Sequence, residues 1–358
     1  MKIAILSFYS GSVNRGVETV VHELSSRLSK KHDVTVFQEG KPQKGVNYGI
    51  KQIKMDMDWA QKDMTKTIQR RLFVDYWSRK IGSFTLRTLR DIWKEKSDIV
   101  IPLNGGWQPA FIRLVTWLYG GKMVASGQSG MGWDDRNNLW SFPNYFITLS
   151  SKALRWAKRA NPLIRSKYIP NGVDLKKFNP SGPKYKTSLK KPIVLCVGAL
   201  TPSKRIDLTI KAVTRLSDVS LLVAGDGDTE GELKDLGKKL LGSRFQLTQV
   251  PFEKMPEIYR VADIFTLVPE GSEAFGIVYV EALATNLPIV AIDDEQRQEI
   301  IGNAGMFVDP TDIEEYSKIL NMTLKKEWGD KPRKQAEKFD WDKIAQKYEN
   351  LFINLTKK

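Results

Sequence analysis

Short apolar runs alternate along the chain with longer stretches whose apolar residues recur every three or four positions, the rhythm of parallel strands joined by covering helices. An apolar run over 3–8, a Gly/Ser/Asn loop over 10–16, a helical pattern over 17–29 and a strand over 34–37 form an opening βαβ unit. Further strands are predicted at 99–102, 122–126 and 145–149. A second series opens at 193–197 and continues through 220–224, 245–247, 264–268 and 288–292. Between the two series, Ile169-Pro-Asn-Gly-Val-Asp-Leu-Lys-Lys-Phe-Asn-Pro180 concentrates turn formers and reads as a linker. The simplest architecture is α/β: two Rossmann-like domains, over 1–168 and 181–339, facing each other across a cleft and joined by linker 169–180. A closing helix is predicted over 341–355, and no internal repeat stands out.

Composition narrows this only a little. The 358 residues are 41% hydrophobic and 27% charged, enough for two sizeable cores and unlike a disordered chain. A net charge of +15 favours an anionic partner, but nucleic acid, an anionic membrane and a phosphorylated substrate all satisfy it. The one cysteine, Cys196, lies in an apolar run, so no internal disulfide forms, a reducing compartment is expected, and its role is packing. The start turns polar at Ser7 without a cleavage site, and no run approaches the ~20 apolar residues of a membrane span. The expected place is the cytoplasm, free or peripheral at the inner face of the membrane.

The most informative stretch is Glu273-Ala-Phe-Gly-Ile-Val-Tyr-Val-Glu281, reached through Pro269-Glu-Gly-Ser. It sets two carboxylates at the ends of a strand-to-helix turn. Phe275, Gly276 and Ile277 would offer free backbone N–H groups at a helix start, where the positive dipole end suits a diphosphate. Ionised carboxylates only accept hydrogen bonds, so one on each side of such a cradle suits sugar hydroxyls and a ribose. The alternative is an amphipathic helix with two solvated glutamates. Gly276 and the small residues over 282–285 argue instead for close backbone approach.

This stretch resembles the Glu-x7-Glu signature of family 4 retaining glycosyltransferases, which adopt the GT-B fold. The likeness includes the Phe-Gly between the glutamates and the Leu287-Pro-Ile-Val290 continuation. The linker is similar to the family's Pro-Asn-Gly-Val-Asp-x-x-x-Phe hinge, and the resemblance implies that the terminal helix, within 340–358, joins the first domain. Gly198-Ala-Leu-Thr-Pro-Ser-Lys-Arg-Ile-Asp207 follows a strand and opens a helix, and its cations oppose the dipole unless an anion lies there. It resembles Gly-Arg-Leu-x-Pro-x-Lys, in which Arg and Lys neutralise the leaving diphosphate. Here Ala199 replaces the Arg, Lys204 keeps the Lys, and Arg205 stands beside it as a substitute.

The resemblance extends to the donor's other edges. Gly11-Ser-Val-Asn-Arg-Gly-Val-Glu18 is similar to the family's glycine loop, Arg15 replacing its first glycine, so Gly16 is expected at the diphosphate and Glu18 in the first helical turn. Val250-Pro-Phe-Glu-Lys254 is the expected base-binding edge, with Pro251 and Phe252, and encodes base identity poorly. The family's histidine at a first-domain strand end is absent: His22 and His32 both lie in or near the first helix. Gln128, in Val124-Ala-Ser-Gly-Gln-Ser-Gly130, is the stand-in, with a plain loop residue as the equal alternative. Asp134 and Asp135 follow and would face the acceptor. Gly225-Asp-Gly-Asp228 mimics a dinucleotide turn and a metal-binding Asp-x-Asp, but Glu230 spoils the first, and by resemblance it is a structural turn. No catalytic metal and no cofactor are expected, Lys204 supplying the positive charge.

Eight of the ten tryptophans precede the linker, and the stretch from Lys66 to Lys96 mixes seven of its Arg and Lys residues with apolar positions, as surface-lying amphipathic helices do. The resulting expectation is a retaining, metal-independent hexosyltransferase that uses a nucleoside diphosphate sugar, with a lean to GDP-mannose over UDP-sugars. Its acceptor would be a glycan or a lipid-linked molecule, with peripheral contact to an anionic membrane and no nucleic acid. The alternatives are a nucleotide-sugar 2-epimerase of the same fold and a non-catalytic binder of anionic membrane or nucleic acid.

Overall fold

A computed structural model describes residues 1–13, 16–59, 67–271 and 273–357. Asn14, Arg15, Lys66 and Ser272, named above, lie outside the described residues. The chain forms two compact units, one from residues 1–171 with 341–358 and one from residues 172–340.

The first unit runs β1 (Lys2–Leu6), α1 (Gly16–Leu28), β2 (Asp33–Gln38), β3 (Gly49–Gln52), α2 (Thr67–Arg71), α3 (Tyr76–Glu95), β4 (Ile99–Pro102), α4 (Gln108–Tyr119), β5 (Lys122–Ser126), α5 (Trp133–Trp140), β6 (Tyr145–Thr148), α6 (Ser151–Ala160) and β7 (Ser166–Tyr168). The second contains β8 (Ile193–Val197), α7 (Ile206–Thr214), β9 (Ser220–Ala224), α8 (Glu230–Leu241), β10 (Phe245–Thr248), α9 (Met255–Val261), β11 (Ile264–Leu267), α10 (Ile277–Ala284), β12 (Ile289–Ile292), α11 (Glu295–Ile301), β13 (Gly305–Val308), α12 (Ile313–Lys325) and α13 (Lys331–Ala336). The last helix, α14 (Trp341–Thr356), returns to the first unit and packs on α1.

Both sheets are wholly parallel, ordered β3-β2-β1-β4-β5-β6-β7 and β10-β9-β8-β11-β12-β13. Helices cover both faces of such a sheet, so central strands are apolar throughout; Ile193-Val-Leu-Cys-Val197 is buried at every position. In both sheets the strand order reverses beside the first strand of the unit, the place where doubly wound sheets open a crevice at their carboxyl ends.

The helix α3 shows how the pattern is spent. Asp75 caps it by accepting from the Ser78 backbone N–H (2.9 Å), and Lys96 ends it in the left-handed conformation at φ 48°. Its buried side, Ile81, Phe84 and Ile92, fills the core beneath β1 and β4, with Phe84 edge-on to Phe8. Within the 66–96 stretch, read above as lying on a surface, α3 thus gives an apolar side to the first core, whereas Ile68, Leu72 and Val74 ahead of it are exposed. Among the described residues no helix is long and apolar enough to cross a membrane.

In the second unit the entering and leaving chains run side by side: Val173 and Asp340 form a parallel bridge, with the Val173 N–H donating to the Phe339 carbonyl (2.8 Å).

Candidate active site

The loop after β8 is the first wall of the site. Leaving the strand, the Gly198 N–H donates to the Ala224 carbonyl (3.1 Å) and the Leu200 N–H to the Asp226 carbonyl (2.7 Å), so the loops after β8 and β9 run together. Such proximity requires glycine at the neighbouring turn: a Cβ on Gly225 would stand 1.9 Å from the Gly198 carbonyl oxygen, and Gly227 sits at φ 151° against Leu200. The Gly-Asp-Gly turn is accordingly a packing device.

Pro202–Lys204 then makes one 3-10 turn, Arg205 takes a left-handed conformation at φ 51°, and α7 begins only at Ile206. The two cations thus stand before the helix, not inside its first turn. They are used differently. Lys204 forms an ion pair with Glu273, both side chains about one-fifth exposed. Arg205 donates through Nε to the Val268 carbonyl (2.9 Å) and through Nη2 to the Pro269 carbonyl (3.2 Å). Its guanidinium pins the loop leaving β11, and the Glu270 N–H to Ser203 carbonyl bond (2.7 Å) ties the same loops again.

The second wall is the start of α10. Gly276 holds the N-cap at φ 80°, where a Cβ would meet the Tyr279 ring at 2.6 Å, so only glycine fits without strain. No side chain caps this end and no acidic residue lies in the first turn, the nearby carboxylate being that of Glu273. Phe275 is buried, packing edge-on to Phe339, while Ile277 is half-buried. From α11, Gln296 donates to the carbonyls of Glu273 (3.4 Å) and Ala274, and buried Arg297 pairs with Asp294 (3.1 Å) beside the Tyr279 ring.

Glu281, in the second turn of α10, is buried and accepts from the Tyr259 hydroxyl (2.7 Å). Burial, then the charge of Glu281 and this bond, push the Tyr259 hydroxyl well above its ordinary value. Pro251 is exposed and Phe252 half-buried at the opening of a 3-10 turn, with the Lys177 ammonium 3.7 Å from the Phe252 ring centre. Cys196 is wholly buried and pushed up to about 12, an inert thiol.

The remaining predicted residues lie in the first unit. Gly16 is exposed at the start of α1 and Glu18 is half-buried in its first turn. Gln128, just past β5, exchanges amide hydrogen bonds with buried Asn171 (3.1 and 3.4 Å) and donates to the Ser126 hydroxyl (2.9 Å). His22 contacts the Tyr48 hydroxyl (3.1 Å) and His32 the Glu349 carboxylate (3.1 Å), both away from the carboxyl ends of the strands. Asp135 is buried at the start of α5, accepting weakly from the Ser129 N–H (3.4 Å) and Asn138 (3.4 Å). Burial pushes its carboxyl up to about 8, the Ser129 and Asn138 bonds opposing and the neighbouring Asp134 charge adding. Asn104 and Gln108 carried no signal in the sequence. Asn104 accepts from the Phe8 N–H (2.7 Å) and Gln108 from the Asn104 N–H (2.9 Å), fixing the ends of β1 and β4.

Taken alone, the second unit joins a lysine–glutamate pair, an uncapped helix start and glycine-permitted loop contacts at the carboxyl ends of parallel strands. Such an arrangement suits an anionic ligand bearing hydroxyls. The class this defines, with two parallel α/β sheets, is the GT-B glycosyltransferase fold. Residues 180–340, a little under half of the chain, match the family model of glycosyl transferases group 1.

The GDP-mannose-dependent monoacylated alpha-(1-6)-phosphatidylinositol monomannoside mannosyltransferase of Corynebacterium glutamicum is 29% identical over 172 residues, 43% of this chain and 45% of that protein. The phosphatidyl-myo-inositol mannosyltransferase of Mycobacterium tuberculosis is 28% identical over 215 residues, 56% of each chain. The matched stretch thus spans about half the length of these relatives. In fold, the chain is similar to Anabaena HepE, solved in complex with UDP and glucose, at TM-score 0.75 and 15% identity over 98% of this chain and 99% of that one.

Proposed function

We propose that the chain is a retaining hexosyltransferase that takes its sugar from a nucleoside diphosphate sugar, with GDP-mannose as the leading donor, and passes it to a lipid-linked or glycan acceptor. The observation that carries this reading is the Lys204–Glu273 pair beside the uncapped start of α10, in a group 1 domain. The lean to GDP-mannose rests on what the corynebacterial relative is named for, and the lean to a lipid acceptor on both mannosyltransferases.

In this reading the donor exchanges the ion pair for itself. Lys204 turns to the diphosphate, trading one charged partner for another, and Glu273 turns to the sugar hydroxyls, which donate to its carboxylate. The N–H groups at Phe275, Gly276 and Ile277 meet phosphate and sugar, Glu281 takes the ribose, and Pro251 and Phe252 edge the base. Gly198, beside the β9 loop, lets the diphosphate approach, and Gly16 and Glu18 are the donor residues proposed for the first unit. Arg205 serves by holding the loop that carries Glu273. The sugar's bond to the diphosphate breaks, a bond to the acceptor oxygen forms on the same face, and the acceptor proton passes to the departing phosphate. Lys204 and the helix dipole stabilise the charge that develops there, so no metal is called for. Gln128 steadies the loop after β5 through Asn171, and the reaction takes place in the cytoplasm, at the inner face of the membrane.

The test is donor binding and slow hydrolysis across GDP-mannose, UDP-glucose, UDP-N-acetylglucosamine and UDP-galactose with EDTA present. Release of GDP from GDP-mannose alone, with product of retained configuration, is expected. Binding of none of the four would overturn the site, and turnover only with added divalent cation would overturn the metal-independent step.

A further inference from the structure

A buried guanidinium lies against the loop that carries Glu273. Arg297, in α11, is 2% exposed; its Nη1 pairs with Asp294 (3.1 Å), whereas Nε and Nη2 are buried without an aligned hydrogen bond among the described residues. Leaving the buried donors of a cation without acceptors is costly, so a group kept this way points to a use for its charge. Its neighbours join it to the loop. Gln296, one residue earlier, donates to the carbonyls of Glu273 (3.4 Å) and Ala274. The Tyr279 ring centre is 5.9 Å from the guanidinium, and a Cβ on Gly276 would stand 2.6 Å from that ring and 3.5 Å from the Glu273 Cγ. Burial pushes the Tyr279 hydroxyl above its ordinary value, the Arg297 charge opposing and the Glu273 and Asp294 charges adding, so both Arg297 and Glu273 act on one hydroxyl.

We propose that Arg297 is a positioning residue for Glu273, holding positive charge under the 273–276 loop when Lys204 leaves its ion pair for the diphosphate. The inference rests on the donor-site reading. In the free protein Lys204 neutralises Glu273 directly. Once the ammonium turns away, the carboxylate stands near the diphosphate's own negative charge, and repulsion drives the loop outward. A guanidinium stays charged at any working pH, and this one lies too deep to follow the ligand, so it steadies the loop through the exchange. Arg205 is occupied at the Val268 and Pro269 carbonyls, before the loop, and Asp294, about one-quarter exposed, engages Nη1 alone.

Two measurements test this, the first without donor. In Lys204→Ala, which copies the departure of the ammonium, a double-mutant cycle of Arg297→Met and Glu273→Ala is read on the second unit's transition in urea. Coupling of about fivefold or more in the unfolding constant is expected, because Arg297→Met costs more while Glu273 is present. Additive effects would overturn the proposal whatever the donor is. The second measurement is nucleoside diphosphate release from saturating GDP-mannose. Arg297→Met should lower kcat about tenfold or more with GDP affinity within about twofold, and Arg297→Lys, which keeps the charge without the fork, should return kcat to within about threefold of the parent. An arginine that only supports the fold would lower the unfolding temperature without this split, or would gain nothing from lysine. Either result, or an unchanged kcat, would overturn the proposal. Where Arg297→Met does not fold, Arg297→Gln replaces it in both measurements. A parent chain that releases no nucleoside diphosphate would sink the transferase reading instead, and the cycle alone would then decide the role of Arg297.

Discussion

The two units share one architecture, a parallel sheet wound on both faces, yet finish their strand ends differently. In the second, every loop of the site is tied to another: Lys204 to Glu273, Arg205 to two carbonyls after β11, Gln296 to the carbonyls of residues 273 and 274. In the first, the corresponding ends hold an amide pair, a buried carboxyl and an exposed apolar rim. The contrast teaches that a fixed ligand chemistry calls for preorganised donors and acceptors, whereas a surface meeting a variable partner is built from side chains on loops.

The comparison breaks most readily at its tightest tie. Lys204→Ala should lower nucleoside diphosphate release about 10²–10³-fold, the scale of losing one charge-stabilising group, while leaving Glu273 without its partner. Steady-state release from the donor checks this. A loss of under about tenfold would move the diphosphate contact elsewhere.

Gly276→Ala is the next largest. Strain at φ 80° and the clash with Tyr279 should cost the second unit about 1–3 kcal/mol, read by denaturant unfolding, with the first unit's transition unmoved.

Asp135 sharpens the other side. Its carboxyl is raised to about 8 in the folded chain, so the folded state holds more protons than the unfolded one between about pH 4 and 8. Its contribution is therefore fullest below the ordinary carboxylate range and is lost as pH rises toward 8, with a slope of at most ~1.4 kcal/mol per pH unit. Asp135→Asn should flatten that slope and stabilise the first unit at pH 8. A profile identical to the parent's would show that the carboxyl is ionised throughout.

The smallest effect belongs to Gln128→Ala. It removes the amide pair with buried Asn171, at a cost of about 1 kcal/mol to the first unit, with donor binding unchanged.

What the sequence disclosed follows the same division. The strands buried on both faces were legible as apolar runs, and β4, β5, β8 and β9 fall at the expected residues. The three strands missed, β3, β7 and β13, are edges of their sheets, and the first two, Gly-Ile-Lys-Gln and Ser-Lys-Tyr, carry no buried residue. A half-exposed edge needs no continuous apolar run, so it leaves no such trace.

Within the site, Gly276, Lys204 and Glu273 were readable because each answers a local demand of a turn or a charge. Gln296, Asn104 and Asn171 were not, since an amide bonding to a distant backbone or side chain has no spacing to betray it. Arg205 was read as a cation for the ligand, but its placement at two carbonyls depended on where β11 ends, which the sequence left open.

The most direct test of the central claim, that Lys204 and Glu273 exchange each other for the donor, is nucleoside diphosphate release from GDP-mannose by the parent chain and by Glu273→Ala at equal nucleotide occupancy. The account predicts that the variant still binds GDP and releases none from the sugar nucleotide. Release at the parent's rate would contradict it.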